Sequence, residues 1–137
     1  MSNCLFCKIA KGIIPAEKVY EDDALFAFLD IEPKAPGHTM VIPKAHTENI
    51  FDLPDTEVGP FFTAVKRVTR MIEKALTPDG FTLGINQGKA AGQAIDHLHF
   101  HIIPRWRNDG GRSLHAVVNN PAKEKLEALA EKIRRGL

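Results

Sequence analysis

The sequence holds only two cysteines, one tryptophan and one tyrosine among its 137 residues, and it lacks any long apolar run. No stretch approaches the roughly eighteen apolar residues of a membrane-spanning helix, and the first residues lack the basic and apolar regions of a secretory signal. Eighteen basic residues nearly balance seventeen acidic ones, so the net charge of +1 provides no general attraction to nucleic acid or membrane surfaces. These absences predict a cytoplasmic protein that binds neither nucleic acid nor membrane.

The length predicts a single domain over residues 1–137. With 44% hydrophobic residues the chain can bury one real core, but it is short for two. Because the net charge is only +1, a small anionic ligand would have to be held by charged or polar groups within its own site.

The two cysteines stand in Cys4-Leu5-Phe6-Cys7, a spacing that suits zinc or a redox pair better than a structural disulfide. Redox pairs of this kind usually open a helix that follows a strand, and only three residues precede Cys4. The spacing therefore favours zinc, with free thiols as the plain alternative.

Three of the six histidines alternate with apolar residues in His97-Leu98-His99-Phe100-His101-Ile102. In a β-strand the histidines would line one face about 6–7 Å apart, and the apolar residues would face the core. A phosphate group could then touch two imidazoles. A strand face that is merely solvated is disfavoured, which leaves a metal site and a nucleophilic site as alternatives. A zinc hydrolase that uses all three histidines as ligands is disfavoured, since alternate strand positions converge poorly on one ion.

The remaining pattern predicts an antiparallel α+β domain. Strands are expected at 17–21, 24–31, 38–43, 81–86 and 97–104, and the helices at 52–76 and from 121 to 135. The long helix carries a core stripe of Phe61, Val65, Val68, Ile72 and Leu76, and the last helix one of Leu126, Leu129 and Ile133. Pro60 is expected near the start of the long helix rather than in its interior.

Two further features have an open meaning when read alone. Asp30 stands between large apolar residues at the end of a strand, as either an exposed-face residue or a ligand contact. The loop Gln87–Gln93 carries two glycines, amides and a lysine just before the histidines, and such a loop can wrap an anion.

Five ordered blocks together resemble the histidine triad (HIT) family of nucleotide hydrolases and transferases. They are Phe28-Leu29-Asp30-Ile31, Pro36-Gly37-His38-Thr39, Val41-Ile42-Pro43-Lys44-Ala45-His46, Gly92-Gln93 and His97-Leu98-His99-Phe100-His101-Ile102-Ile103-Pro104-Arg105. Residues 1–106 match the family core, and residues 107–137 form a C-terminal loop and helix outside it. The resemblance implies a homodimer whose sheets join near residues 52–76 and 81–85, with a purine nucleotide bound to each subunit.

The resemblance also implies the catalytic roles. His99 matches the nucleophile that attacks the α-phosphorus, giving a nucleotidyl-histidine that water resolves to a nucleoside monophosphate. His101 matches the residue that contacts phosphate oxygens, where a protonated ring would offset negative charge. The substrate would be a nucleoside phosphoramidate or a dinucleoside polyphosphate.

Substrate-binding roles follow from the same match. Asp30 would accept hydrogen bonds from the ribose hydroxyls, Ile31 and Phe26 would wall the purine pocket, and His38 would support the site. The phosphate surroundings would comprise Asn86, Gln87, Gly92 and Gln93. One position departs from the family pattern: Ala94 replaces the usual serine or threonine, and losing that charge-assisted hydrogen bond would cost roughly 1.5–3 kcal/mol.

The resemblance gives the cysteines two histidine partners, so that zinc would be held by Cys4, Cys7, His46 and His97. Four protein ligands close a tetrahedral site, so the ion would stabilise the fold without entering the reaction. Two function classes follow: a nucleotide hydrolase, and a nucleotide-binding regulatory protein with incidental hydrolysis. The intact His99 and His101 favour the enzyme.

Overall fold

The computed structural model describes residues 3–136, which form one five-stranded sheet with helices on both faces. The strands are β1 (Lys18–Glu21), β2 (Leu25–Leu29), β3 (Thr39–Pro43), β4 (Gly80–Gly84) and β5 (Phe100–Arg105). The α-helices are α1 (Leu5–Ala10), α2 (Asp55–Leu76) and α3 (Leu126–Arg135). Every neighbouring pair in the order β1-β2-β3-β5-β4 is antiparallel, which confirms the α+β prediction.

Helix α2 covers one face of the sheet. Its side chains Phe61, Val65, Val68 and Ile72 are buried in one cluster with Leu98, Phe100 and Ile102, as the stripe predicts. Leu76, the last residue of the predicted stripe, is 40% exposed. The helix begins at Asp55 because residues 50–52 form a separate 3₁₀ turn. Pro60 lies six residues into the helix, deeper than expected, and the helix continues through it.

A second apolar cluster covers the opposite face, beneath α1. It contains Phe6, Ile9, Phe26, Phe28, Met40 and Ile42. Successive residues of β2 and β3 alternate between this cluster and the one under α2, as the pleat requires. Helix α1 is absent from the sequence prediction because six residues are too few to show a helical period.

The C-terminal segment corrects the prediction for the last helix. Residues 107–125 are exposed and contain one 3₁₀ turn at Leu114–Ala116, and α3 starts at Leu126, five residues later than predicted. The expected buried stripe is wrong, since Leu126 is 80% and Ile133 75% exposed. The pattern identifies the apolar face of a helix, but not what covers it.

The helices described between residues 3 and 136 include none that is both long and apolar enough to cross a membrane.

Candidate functional site

Four predicted metal ligands converge from three parts of the chain. Cys4 caps the first turn of α1 and Cys7 lies within it, while His46 follows β3 and His97 precedes β5. The Nδ1 atom of His97 lies 3.4 Å from the Sγ atom of Cys4 and 3.5 Å from that of Cys7, and Nδ1 of His46 lies 3.3 Å from the Sγ atom of Cys7. The four donor atoms all lie within 4.8 Å of one another.

This donor set fits zinc. Tetrahedral bonds of about 2.3 Å to sulfur and 2.0–2.1 Å to nitrogen place the sulfur and nitrogen ligands about 3.6 Å apart, close to the observed separations. The Nε2–H group of His97 donates to the main-chain oxygen of Pro43 at 2.7 Å, so Nδ1 carries the free lone pair that a metal needs. Burial lowers the pKa of His97, which keeps that lone pair available.

His99 is held in one tautomer by the main chain. Its Nδ1–H group donates to the main-chain oxygen of His97 at 2.7 Å, which leaves the lone pair on Nε2. The ring is only 7% exposed, and Phe6 packs its edge against it with the ring centres 5.1 Å apart. His99 therefore has the form that a nitrogen nucleophile requires.

His101 is oriented through His38. The main-chain N–H of Lys34 donates to Nδ1 of His38 at 3.1 Å, so the proton of the neutral ring is on Nε2. That Nε2–H donates to Nδ1 of His101 at 2.9 Å. The Nε2 atom of His101 is left as an N–H donor, and an Asp30 oxygen lies 3.6 Å from Nε2 of His38.

The expectation that the His101 ring is protonated is wrong, because its surroundings favour the neutral ring. Burial lowers its pKa to about 4, with further lowering by His99 and His38. Burial also lowers the pKa of His38, against the opposing effect of Asp30. At neutral pH both rings are uncharged in the free protein, so His101 offers a hydrogen-bond donor rather than a cation.

The same tautomers argue against two alternative metal sites. Asp30, His38 and His101 are close enough to hold an ion, but Nε2 of His38 carries a proton and cannot be a ligand. Convergence of His97, His99 and His101 on one ion is also disfavoured, because Nδ1 of His97 faces the cysteines. The geometry favours a nucleophilic site at His99.

The loop before the histidines is fixed by its own glutamines. The Gln93 side chain accepts from the main-chain N–H of Gly88 at 2.8 Å and donates to the oxygens of Glu48 and Ile95. Gln87 accepts from the main-chain N–H of Ile50 at 3.0 Å. Both amides therefore join the loop to the segment after His46.

The other substrate-binding candidates occupy several environments. Asp30 accepts from the N–H of Glu32 at 2.9 Å through one oxygen, and Ile31 is 89% exposed. Phe26 is buried in the α1 cluster. Gly92 has φ +98°, and a Cβ there would lie 3.9 Å from the Asn86 side chain.

Sequence analysis missed Phe6 as a neighbour of the triad. The signal was present, because Phe6 stands between the two cysteines that were paired with His97. Once Cys4 and Cys7 contact His97, the residue between them has to lie near the same rings. Its edge-on contacts with His97 and His99 follow from that placement.

The low pKa of His101 predicts a loss of stability in acid. In the unfolded chain the His101 ring is protonated below about pH 6.5, whereas in the folded chain its pKa is about 4. Between these two pH values the unfolded state therefore binds one proton more than the folded state. The free energy of unfolding should therefore fall as the pH drops from 6.5 to 4. In His101→Asn this fall in the free energy of unfolding should be smaller by about 1–2 kcal/mol, a value that is reduced to allow for screening by solvent.

Urea unfolding at pH 7 and pH 4.5 measures this difference. The control is His115→Asn, since His115 is exposed in the C-terminal segment. An unchanged pH dependence in His101→Asn would contradict the assignment.

Fold and site together define an α+β protein in which buried histidines lie beside a cluster of two cysteines and two histidines. The HIT domain family matches residues 11–108, and the chain belongs to that family. It is 49% identical over 107 residues to an uncharacterized HIT-like protein of Methanocaldococcus jannaschii, covering 78% of this chain and 82% of that one.

Two further relatives extend the match towards the C-terminus. An adenosine 5'-monophosphoramidase of Schizosaccharomyces pombe is 39% identical over 131 residues, which cover 96% of each chain. The crystal structure of a HIT family member from Bacillus subtilis superposes with a TM-score of 0.88 at 40% identity, covering 98% of this chain and 97% of that one.

Proposed function

We propose that the protein hydrolyses a purine nucleoside phosphoramidate at its α-phosphate and releases a nucleoside monophosphate. The observation that carries this proposal is the 2.7 Å hydrogen bond from His99 Nδ1–H to the oxygen of His97, which leaves the lone pair on Nε2. The family relationship to a named adenosine 5'-monophosphoramidase supports the same class of substrate.

The reaction proceeds in two displacements. Nε2 of His99 attacks the phosphorus, the P–N bond of the substrate breaks, and the leaving amine takes up a proton from water. Water then attacks the nucleotidyl-histidine, giving the monophosphate and restoring the neutral ring. His101 donates its Nε2–H to a phosphate oxygen, and this fixed dipole stabilises the charge that develops there.

Some of the proposed binding residues contact the nucleotide directly, and others hold the phosphate loop in its conformation. Asp30 accepts from the ribose hydroxyls, Ile31 and Phe26 wall the purine pocket, and Asn86 lies beside the phosphates. Gln87, Gly92 and Gln93 shape the phosphate loop through main-chain contacts. Zinc at the Cys/His cluster stabilises the fold, and a reducing compartment such as the cytoplasm keeps its thiols available.

Ala94 supports an alternative, in which the protein binds nucleotide as a regulator and hydrolyses it incidentally. Because the residue has no hydroxyl to assist departure of a poor leaving group, hydrolysis could be slow. Dinucleoside polyphosphates are the second substrate class to compare, because their leaving group is a phosphate rather than an amine.

A substrate panel distinguishes these functions. Adenosine phosphoramidate and diadenosine polyphosphates are assayed side by side, with nucleotide binding measured calorimetrically on the same preparation. We expect turnover of the phosphoramidate. Tight nucleotide binding with turnover of neither substrate would favour the regulatory function, and preferential cleavage of the polyphosphates would overturn the proposed leaving group.

The proposed assembly is a homodimer that joins through β4 and α2. Strand β4 is the last in the sheet order, and a groove of about 360 Å³ lies beside it. Its lining combines apolar side chains, among them Phe62, Phe81 and Leu83, with polar and charged side chains of α2. The edge of such a strand presents unpaired main-chain groups that a second β4 can pair. We expect a solution mass near twice 15.2 kDa.

Light scattering on a sizing column measures the mass. Leu83→Asp should give a monomer, because the charge would be placed in the proposed interface. Ile13→Asp is the matched control, since Ile13 is exposed just before β1 at the other edge of the sheet. A fully active wild-type monomer at micromolar concentration would contradict the assembly.

A further inference from the structure

His97 connects the Cys/His cluster to His99 through three separate polar groups. Its Nδ1 faces the two cysteine sulfurs, its Nε2–H donates to Pro43, and its main-chain oxygen accepts from His99. We propose that His97 is a positioning residue, through which metal binding at the cluster sets the tautomer and orientation of His99. The inference rests on the proposed role of His99 as the nucleophile.

The main chain at residues 97–99 lies just outside the sheet ladder, although the Leu98 side chain is fully buried in the core. The register between β3 and β5 ends at the pair Val41 and Phe100, so the three residues before Phe100 have no partner in that ladder. The Leu98 N–H group donates to the main-chain oxygen of Thr47 at 2.6 Å, which is a tether from this stretch to another segment. Thr47 adjoins the ligand His46, so this tether also leads to the cluster.

Metal binding would therefore fix this segment from both sides. An ion held by His46 and His97 locks the ring of His97 and the residue next to Thr47 in one arrangement. Without it, the Nδ1 atom of His97 meets only thiols, which are weak hydrogen-bond donors. The hydrogen bonds to Pro43 and Thr47 then hold this segment without the metal, and the oxygen that accepts from His99 has more room to shift.

A shift of that oxygen would act on chemistry more than on binding. Once Nδ1–H of His99 loses its acceptor, the proton can occupy Nε2 instead, and a protonated Nε2 cannot attack phosphorus. Asp30 and Asn86 belong to other segments and continue to hold the nucleotide. The expected signature is a fall in kcat with little change in KM.

The tautomer can be measured without substrate. Protein labelled with ¹⁵N-histidine is compared with zinc bound and after chelation, at one pH, by long-range proton–nitrogen correlation of the ring nitrogens. We expect a single Nδ1–H tautomer for His99 with zinc and a mixture in the folded, zinc-free protein. Identical His99 signals in the two folded states would overturn the inference, whether or not the protein is a hydrolase.

Two matched variants test the same connection in zinc-loaded protein and remain decisive if chelation unfolds the chain. His97→Cys and His46→Cys each leave four zinc ligands, but only the first removes the hydrogen bond to Pro43. At equal zinc content, His97→Cys should lower kcat at least tenfold more than His46→Cys, with similar KM. Equal losses in the two variants would show that the cluster supports only the fold. If either variant fails to fold, the tautomer comparison decides.

Discussion

Replacement of His99 by alanine is expected to abolish hydrolysis of adenosine phosphoramidate while nucleotide affinity stays within a few fold. The variant removes the only nitrogen in the proposed pathway that forms a bond to phosphorus, but it keeps Asp30 and Asn86. Loss of a covalent nucleophile removes the pathway itself. Turnover assays and calorimetric binding of a nucleoside monophosphate measure the two effects separately.

His101 provides the contrast within the same site. His101→Asn should slow the reaction by about 10²–10³-fold and still allow nucleotidylation, since the variant loses a stabilising hydrogen bond and not the nucleophile. His115→Ala, a change in the exposed C-terminal segment, is the control for nonspecific effects.

Chemical trapping identifies the attacking atom directly. Acidic conditions break phosphoramidates, so an alkaline quench of wild-type protein with labelled substrate should retain label on His99, provided that the intermediate accumulates. Residual turnover by His99→Ala near the wild-type rate would contradict the mechanism. Turnover by His99→Ala that persists with zinc bound and is abolished by a chelator, with no label on His99 of the wild-type protein, would instead indicate attack by metal-bound water.

Removal of zinc is expected to have the largest effect on stability. Purified protein should contain about one zinc per chain, because four donor atoms lie within 4.8 Å of one another. Structural zinc contributes roughly 10 kcal/mol or more in zinc-finger peptides, and several kcal/mol here would lower Tm by on the order of 10 °C or more. Thermal unfolding before and after chelation measures the shift.

Cys7→Ser provides the corresponding variant. Its sulfur is buried between His46 and His97, so serine leaves a hard oxygen ligand in place of a thiolate at a site shaped for sulfur. We expect loss of zinc and a similar fall in Tm, with His115→Ala as the unaffected control. A stable, well-folded wild-type preparation with free thiols and no zinc would contradict the metal centre.

The parts of the fold that sequence analysis predicts are those with a clear period. The stripe from Phe61 to Ile72 specifies α2, and Leu98 and Phe100 are buried as their alternation predicts. The predicted strand at 97–104 is wrong at its start, because β5 begins at Phe100 and leaves His97 and His99 outside it. The outer stripe of α3 shows the limit of this reasoning. Amphipathicity identifies an apolar face of this helix, but the side chains of Leu126 and Ile133 on that face are exposed in the structure.

For the site, the sequence predicts which residues are involved, but not their tautomers or protonation. Spacing draws attention to the row of histidines, whereas the family resemblance implies that His46 and His97 join the cysteines, and the structure brings them together. The tautomers depend on main-chain groups distant in sequence, such as the oxygen of Pro43 and the N–H of Lys34. The neutral state of His101 also depends on burial, which a one-dimensional pattern does not contain.

The neutral imidazole pair has a consequence for how a nucleotide reaches the site. His38 and His101 carry no charge at neutral pH, and the whole chain has a net charge of only +1. Long-range attraction of a phosphate is therefore weak, and ionic strength should have little influence on the encounter rate. For the proposed nucleotide substrate, capture would depend on hydrogen bonds formed after arrival, so a change in the salt content of the cell should leave its rate of binding nearly constant.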